Sequence, residues 1–216
     1  MNANGSPENT EWAFGRTQDL SVVDYQPWQA AIGGRNPRNA VGRFMSLHII
    51  SEDIYFDVVN AKTASLFSAA CQVGSISANA SNTEINALKS FGTNFGMTFQ
   101  LVDDAIDYSS NKKILGKNTG DDFKEGKITL PIILAYGRSN EKEKKFWKRT
   151  ISELNQEEGD FDNALDIINK YQCIQDTITR ANHFSNVAID SIDIFKNNIF
   201  KEKLAALVST SISRIY

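Results

Sequence analysis

Asp103, Asp104 and Asp107 form an Asp-Asp-x-x-Asp pattern within a strongly apolar, helix-like stretch. At about 100° per residue, these three and Gln100 fall within a sector of about 100°. Its centre lies about 110° around the helix from a packing stripe that includes Phe95, Phe99, Val102 and Ile106. The spacing therefore predicts a helix that packs by one face and offers three carboxylates on another. Like charges three and four residues apart repel. A hard divalent cation such as Mg²⁺ relieves that repulsion, because it takes oxygen ligands, keeps several waters and commonly shares its shell with substrate phosphates. From the triad alone two readings stand side by side, a metal site and a solvated acidic face at a helix end.

Two further groups carry chemistry. Lys62 and Thr63 sit in the apolar run from Ala61 to Cys71. A buried unpaired ammonium is expensive, so a functional role for Lys62 outranks a structural one, whereas Thr63 alone reads as a neutral helix residue. The polar stretch 109–128 holds Gly116, Gly120 and Gly126 among Lys117, Lys124, Lys127, Asp121 and Asp122. Taken alone, its lysines read as solvated surface. Gly120 to Lys127 is not a phosphate-binding P-loop, because Ile128 stands where Ser or Thr is required. His48 and His183 have no partner cluster and receive no role.

These residues need helices to position them. Ser51-Glu52-Asp53 supplies a cap and first-turn acids for a helix to about Ala80. A second runs from Thr83 to about Tyr108, with Ile85, Leu88, Gly92, Phe95, Phe99, Val102 and Ile106 recurring at three- and four-residue steps. Phe91, Phe95 and Phe99 are read as core or as the lining of a binding cavity, two roles that sequence does not separate. After the polar loop, Thr129-Leu130-Pro131 opens another helix with Pro in the tolerated first turn. Helical patterns follow at roughly 141–154, at 161–196 with a break near Tyr171, and at 201–214. The fold class expected is all-α.

Residues 1–45 differ in texture. They hold two of the three Trp, three of the four Pro and five of the thirteen Gly, too much punctuation for a long helix. This stretch is read as an atypical, disordered or degenerate N-terminal segment, and 46–216 as the helical domain. The 216 residues can bury a core without disulfide or metal. A net charge of −3 argues against nucleic acid as a partner. Two cysteines a hundred residues apart, Cys71 and Cys173, fit a reducing compartment. With no transmembrane run and no signal-like start, the expected location is the cytoplasm.

The stretch from Phe99 to Tyr108 is followed by the Gly116-Lys117 pair and by Gly126-Lys127-Ile128-Thr129-Leu130-Pro131. Together they resemble the second aspartate-rich region of trans-isoprenyl (polyprenyl) diphosphate synthases, most of all the long-chain octaprenyl and solanesyl type. Ala61-Lys62-Thr63-Ala64-Ser65-Leu66-Phe67 resembles the Lys-Thr helix of that family, at the expected distance upstream. The likeness runs from about Ala40 to the C-terminus and is carried by three motifs in order.

This resemblance implies an isoprenoid synthase helical bundle, usually homodimeric. In that chemistry an allylic prenyl diphosphate loses its diphosphate with Mg²⁺ assistance, and the cation is attacked by isopentenyl diphosphate. Asp103, Asp104 and Asp107 are implied as metal ligands. Lys62, Lys117 and Lys127 are implied to bind diphosphate, and Lys62, Thr63, Gln100 and Lys117 are the implied catalytic set. The chain departs from the family in one respect: the first aspartate-rich motif and its arginine pair are missing, and Arg35-Asn36-Pro37-Arg38 does not replace them. The bundle is thus expected to be incomplete at its N-terminus. The alternative expectation is a truncated, non-catalytic homologue or subunit that forms a heteromer with a complete synthase. A terpene cyclase is disfavoured, since the two Gly-Lys elements fit chain elongation better.

Overall fold

The computed structural model describes residues 51–109 and 120–214. Lys117, the segment 1–45 and the stretch Ala40 to Leu47 lie outside the described residues. Within them the chain is helical and carries no strand. In order these are α1 (Glu52–Val59), a π-helical turn (Asn60–Ala64), α2 (Ser65–Ser77), α3 (Asn82–Asp107), α4 (Asp121–Lys124), α5 (Leu130–Arg138) and α6 (Glu141–Trp147). A second π turn (Lys148–Ser152), α7 (Asp160–Lys170), α8 (Cys173–Ser191) and α9 (Ile199–Ser213) complete the order.

α3 is the axis of the fold and packs chiefly against α8 and α2. It starts at a capping box in which the Ser81 hydroxyl accepts from the Glu84 amide at 3.3 Å and Glu84 accepts from the Ser81 amide at 2.8 Å. Each bond satisfies an amide that the first helical turn leaves without a partner. Gly92 and Gly96 let α2 and the first π turn approach closely. A Cβ on Gly92 would lie 2.5 Å from the Phe67 carbonyl oxygen, and one on Gly96 2.6 Å from the Ala64 Cα. Ala64 is fully buried as a result.

The main core gathers Leu101, Val102, Ala105, Leu130, Ile132, Trp147, Ile168 and Ala181 from five helices. A smaller cluster of Phe91, Ala188, Ile192 and Val208 joins α3, α8 and α9. The three phenylalanines divide between the core and its edge. Phe91 is buried, but Phe95 and Phe99 are half-buried and meet Phe67 across the α2–α3 contact, with ring centroids 5.3 and 5.7 Å apart.

Two charge pairs fix the frame. Arg180 on α8 donates to both carboxylate oxygens of Glu52 at 2.6 and 2.9 Å, which locks the start of α1. Arg149 donates to both oxygens of the buried Asp160 at 2.9 and 2.7 Å, which ties the second π turn to α7. Such two-point pairs fix orientation as well as distance. No helix among the described residues is long and apolar enough to cross a membrane.

Candidate functional site

The first π turn carries Lys62 and Thr63. π turns inserted into α-helices cluster at functional sites because they re-aim side chains. Here the turn lies against α3 where Gly96 offers no Cβ, one helical turn before Gln100. Thr63 Oγ1 donates to Gln100 Oε1 at 2.9 Å, and Gln100 Nε2 donates to Asp104 Oδ1 at 2.8 Å. Tyr55 on α1 completes the chain by donating its hydroxyl to Asp104 Oδ2 at 2.7 Å. Four side chains from three elements thus form one hydrogen-bonded line, Thr63–Gln100–Asp104–Tyr55. Lys62 is exposed, contrary to the expectation of a buried ammonium. Its neighbours in the apolar run pack on α3, while its own side of the π turn stays uncovered by the described residues.

The acidic triad is divided rather than presented together. Asp104 is 4% exposed and points into the α1–α3 contact. Burial pushes its carboxyl up to about 7; the hydrogen bonds from Tyr55 and Gln100 oppose that rise, and the negative charges of Asp122 and Asp103 add to it. Asp103 and Asp107, one turn apart, stay partly accessible. Asp103 forms an ion pair with Arg214 at 3.5 Å. Asp107 Oδ2 accepts from the Asp122 amide at 3.0 Å, and the Asp107 carbonyl accepts from the Gly120 amide, also at 3.0 Å. Burial raises the Asp107 carboxyl above its usual range, the Asp122 amide bond acts against that, and the charges of Asp122 and Asp121 reinforce it. No group of three or more potential ligand side chains closes into a metal cage among the described residues. The helical wheel put three carboxylates on one solvent-facing sector. The sector spans the edge of the core, so its inner member is drawn to the Tyr55 hydroxyl.

The polar loop contains a short helix that the sequence reading did not anticipate. Gly120 (φ +86°) turns the chain in the left-handed region open to glycine and caps α4. This places Asp122 beside Asp107. Lys127 Nζ donates to Asp122 Oδ1 at 2.7 Å and lies 3.0 Å from a Glu125 oxygen. Burial disfavours the Lys127 ammonium, but its bonds to Asp122 and Glu125 outweigh that and hold its pKa above the usual lysine value. Lys127 therefore braces the loop instead of reaching out as a bare phosphate ligand.

The structure thus brings Thr63, Gln100 and Asp104 into direct contact. Asp103 and Asp107 stand on the adjoining accessible face, and Lys127 lies apart in the loop. Three further participants went unseen in the sequence: Tyr55, Asp122 as a partner of Asp107, and Arg214. Tyr55 is seven residues before Lys62 on the same helical run and could have been sought as the donor a buried carboxylate needs. No local pattern points to Arg214.

The family model for polyprenyl synthetase matches residues 39–168. An octaprenyl diphosphate synthase of Haemophilus influenzae is 36% identical over 166 residues, which cover 77% of this chain and 50% of that protein. A crystal structure of a polyprenyl synthase from Caulobacter crescentus, complexed with calcium and isoprenyl diphosphate, superimposes with a TM-score of 0.76 at 35% identity. It covers 88% of this chain and 57% of that one. A decaprenyl diphosphate synthase from Rhodobacter capsulatus gives a TM-score of 0.76 at 32% identity, over 92% of this chain and 58% of that one. The chain spans about half the length of the curated relatives it matches. Helical architecture, motif order and these likenesses agree, and the chain belongs to the polyprenyl synthetase family.

Proposed function

We propose that this chain is a trans-prenyltransferase that condenses isopentenyl diphosphate with an allylic diphosphate to make a polyprenyl diphosphate. The observation that carries the reading is the junction of the π turn with α3. Thr63 and Gln100 meet at 2.9 Å, one turn from the accessible Asp103, in the motif order of the family. The donor chemistry suits a hard cation, since Asp103 and Asp107 offer only oxygen. In this reading Asp103 and Asp107 hold Mg²⁺. Asp104 instead fixes Gln100, and through it the Thr63 hydroxyl. Bound there, Mg²⁺ supplies charge neutralisation for the departing diphosphate.

Lys62, exposed beside Thr63, offers a point charge to a phosphate group. Lys117, outside the described residues, is assigned the same task on the resemblance alone. Lys127 reaches a phosphate only by giving up Asp122 and Glu125. The calcium and isoprenyl diphosphate named for the Caulobacter crescentus relative support a metal-diphosphate site in the family. We place the protein in the cytoplasm, a reading supported by the two free cysteines, and as a homodimer or as a heteromer with a complete synthase. The test is Mg²⁺-dependent incorporation of labelled isopentenyl diphosphate into a farnesyl starter, with Asp103→Ala as control. Elongation that is lost in the control is the expected result, and its absence from well-folded protein defeats the stand-alone enzyme.

A second reading is a non-catalytic subunit paired with a complete synthase. It is favoured by the α2 face on which Leu66, Val73 and Ile76 are 72%, 54% and 58% exposed. Contiguous exposed apolar surface of this kind marks an interface. A product formed only when a complete synthase is added, and in larger yield than that synthase gives alone, selects this reading.

A further inference from the structure

Arg214 follows α9 directly and reaches back to α3. Its guanidinium lies 3.5 Å from Asp103 and stacks 5.3 Å from the centroid of the Phe99 ring, one turn earlier on the same helix. The side chains of Arg214 and Asp103 are 25% and 34% exposed, so the pair is shielded but open on one side. A cation held at two points on one helix face is fixed in place, and guanidinium stays charged at any accessible pH. Asp104, behind Asp103, is buried and committed to Tyr55 and Gln100. The outward carboxylate of the cluster therefore already has a resident positive charge.

We infer that Arg214 is the resident counter-ion of the metal site: it competes with the divalent ion for Asp103 and so sets the affinity of the site. This inference rests on the reading of Asp103 as a metal ligand. An ion binding at Asp103 meets a like charge 3.5 Å from the same carboxylate, and the guanidinium must yield. Yielding loosens the end of α9, because the ion pair and the Phe99 stack reinforce the hold that the buried Val208 and Ser211 and the packed Ile212 give its last turns. Metal loading and the order of the C-terminal turn are thereby coupled. The competition costs metal affinity while no anionic ligand is present to receive the displaced guanidinium.

The test uses the full chain and Mg²⁺ alone. Isothermal titration compares wild type with Arg214→Gln and Arg214→Lys, while hydrogen exchange follows amides 209–213. Arg214→Gln binds Mg²⁺ roughly two- to fivefold more tightly, the worth of a partly exposed ion pair. Arg214→Lys, which keeps the charge, stays near wild type. Mg²⁺ speeds exchange at the end of α9 in wild type, whereas in Arg214→Gln exchange is already faster than in wild type without metal. Equal Mg²⁺ affinity in wild type and Arg214→Gln overturns the role of Arg214 and leaves the metal site standing. No Mg²⁺ binding by either overturns both.

Discussion

Replacing Gly96 with Ala tests whether α3 is positioned by backbone contact with the π turn. The new Cβ would lie 2.6 Å from the Ala64 Cα, 3.1 Å from its Cβ and 3.2 Å from the Phe67 ring, while ordinary contact begins at 3.4 Å. Two of the three neighbours belong to a fully buried residue, so the two helices must separate by several tenths of an ångström. Overpacking of this kind costs about 1–3 kcal/mol, and alanine returns about 1 kcal/mol of helix propensity. The net loss reaches about 2 kcal/mol, or a fall in Tm of a few degrees at this chain length. Gly92→Ala meets the Phe67 carbonyl oxygen at 2.5 Å and behaves alike. The double variant loses less than the sum, because one displacement relieves both clashes. Gly74 on α2 is the control. Nothing lies within 4 Å of its Cβ position, so Gly74→Ala gains about 0.5–1 kcal/mol. Urea denaturation followed by circular dichroism reads all four. If Gly96→Ala were as stable as Gly74→Ala, the close packing of α2 on α3 would be refuted.

Tyr55→Phe leaves Asp104 with one hydrogen-bond donor fewer in a buried site and costs about 1–3 kcal/mol, read as a lower urea midpoint; an unchanged midpoint contradicts the Tyr55–Asp104 bond. Glu143 accepts from Lys170 Nζ at 2.7 Å, Tyr171 Oη at 2.9 Å and the Asn140 amide at 2.9 Å, and the Lys170 bond foremost lowers its carboxyl below the usual range. Its stabilisation is therefore present above the unfolded-state glutamate pKa and lost as pH falls through the lowered value. A Glu143→Gln variant should melt below wild type at pH 7 and converge with it near pH 3. Cys173 is fully buried, and burial pushes its thiol up to about 11. The folded state thus keeps a proton that the unfolded state releases near pH 9, so stability falls as pH rises from about 9 to 11. At pH 8, mass spectrometry should find iodoacetamide on the half-buried Cys71 well before Cys173, and equal rates would count against the α8 packing.

The helices were legible because their causes are local. The stripe on 83–108, the cap at Ser51 and the Pro131 start are written in consecutive residues, and the break near Tyr171 is realised between α7 and α8. The π turn at Asn60–Ala64 was not legible, because it follows from the fit of Ala64 onto Gly96 thirty-two residues later. The wheel placed Asp104 with Asp103 correctly by angle. Which of two adjacent carboxylates turns inward depends on where α1 delivers Tyr55, a tertiary fact. Lys127 looked like a free loop cation until Gly120 and α4 brought Asp122 within 2.7 Å. Arg214, more than a hundred residues from Asp103, left no trace in any spacing.

The most direct test of the account is calorimetric titration of inorganic diphosphate into the protein with Mg²⁺ or with EDTA, repeated for Asp103→Ala and Asp107→Ala. Binding that needs Mg²⁺ and is lost in both variants, while their helical content is unchanged, is the expected result. Binding that persists in EDTA, or survives the loss of Asp103, would contradict a metal-diphosphate site on this face of α3.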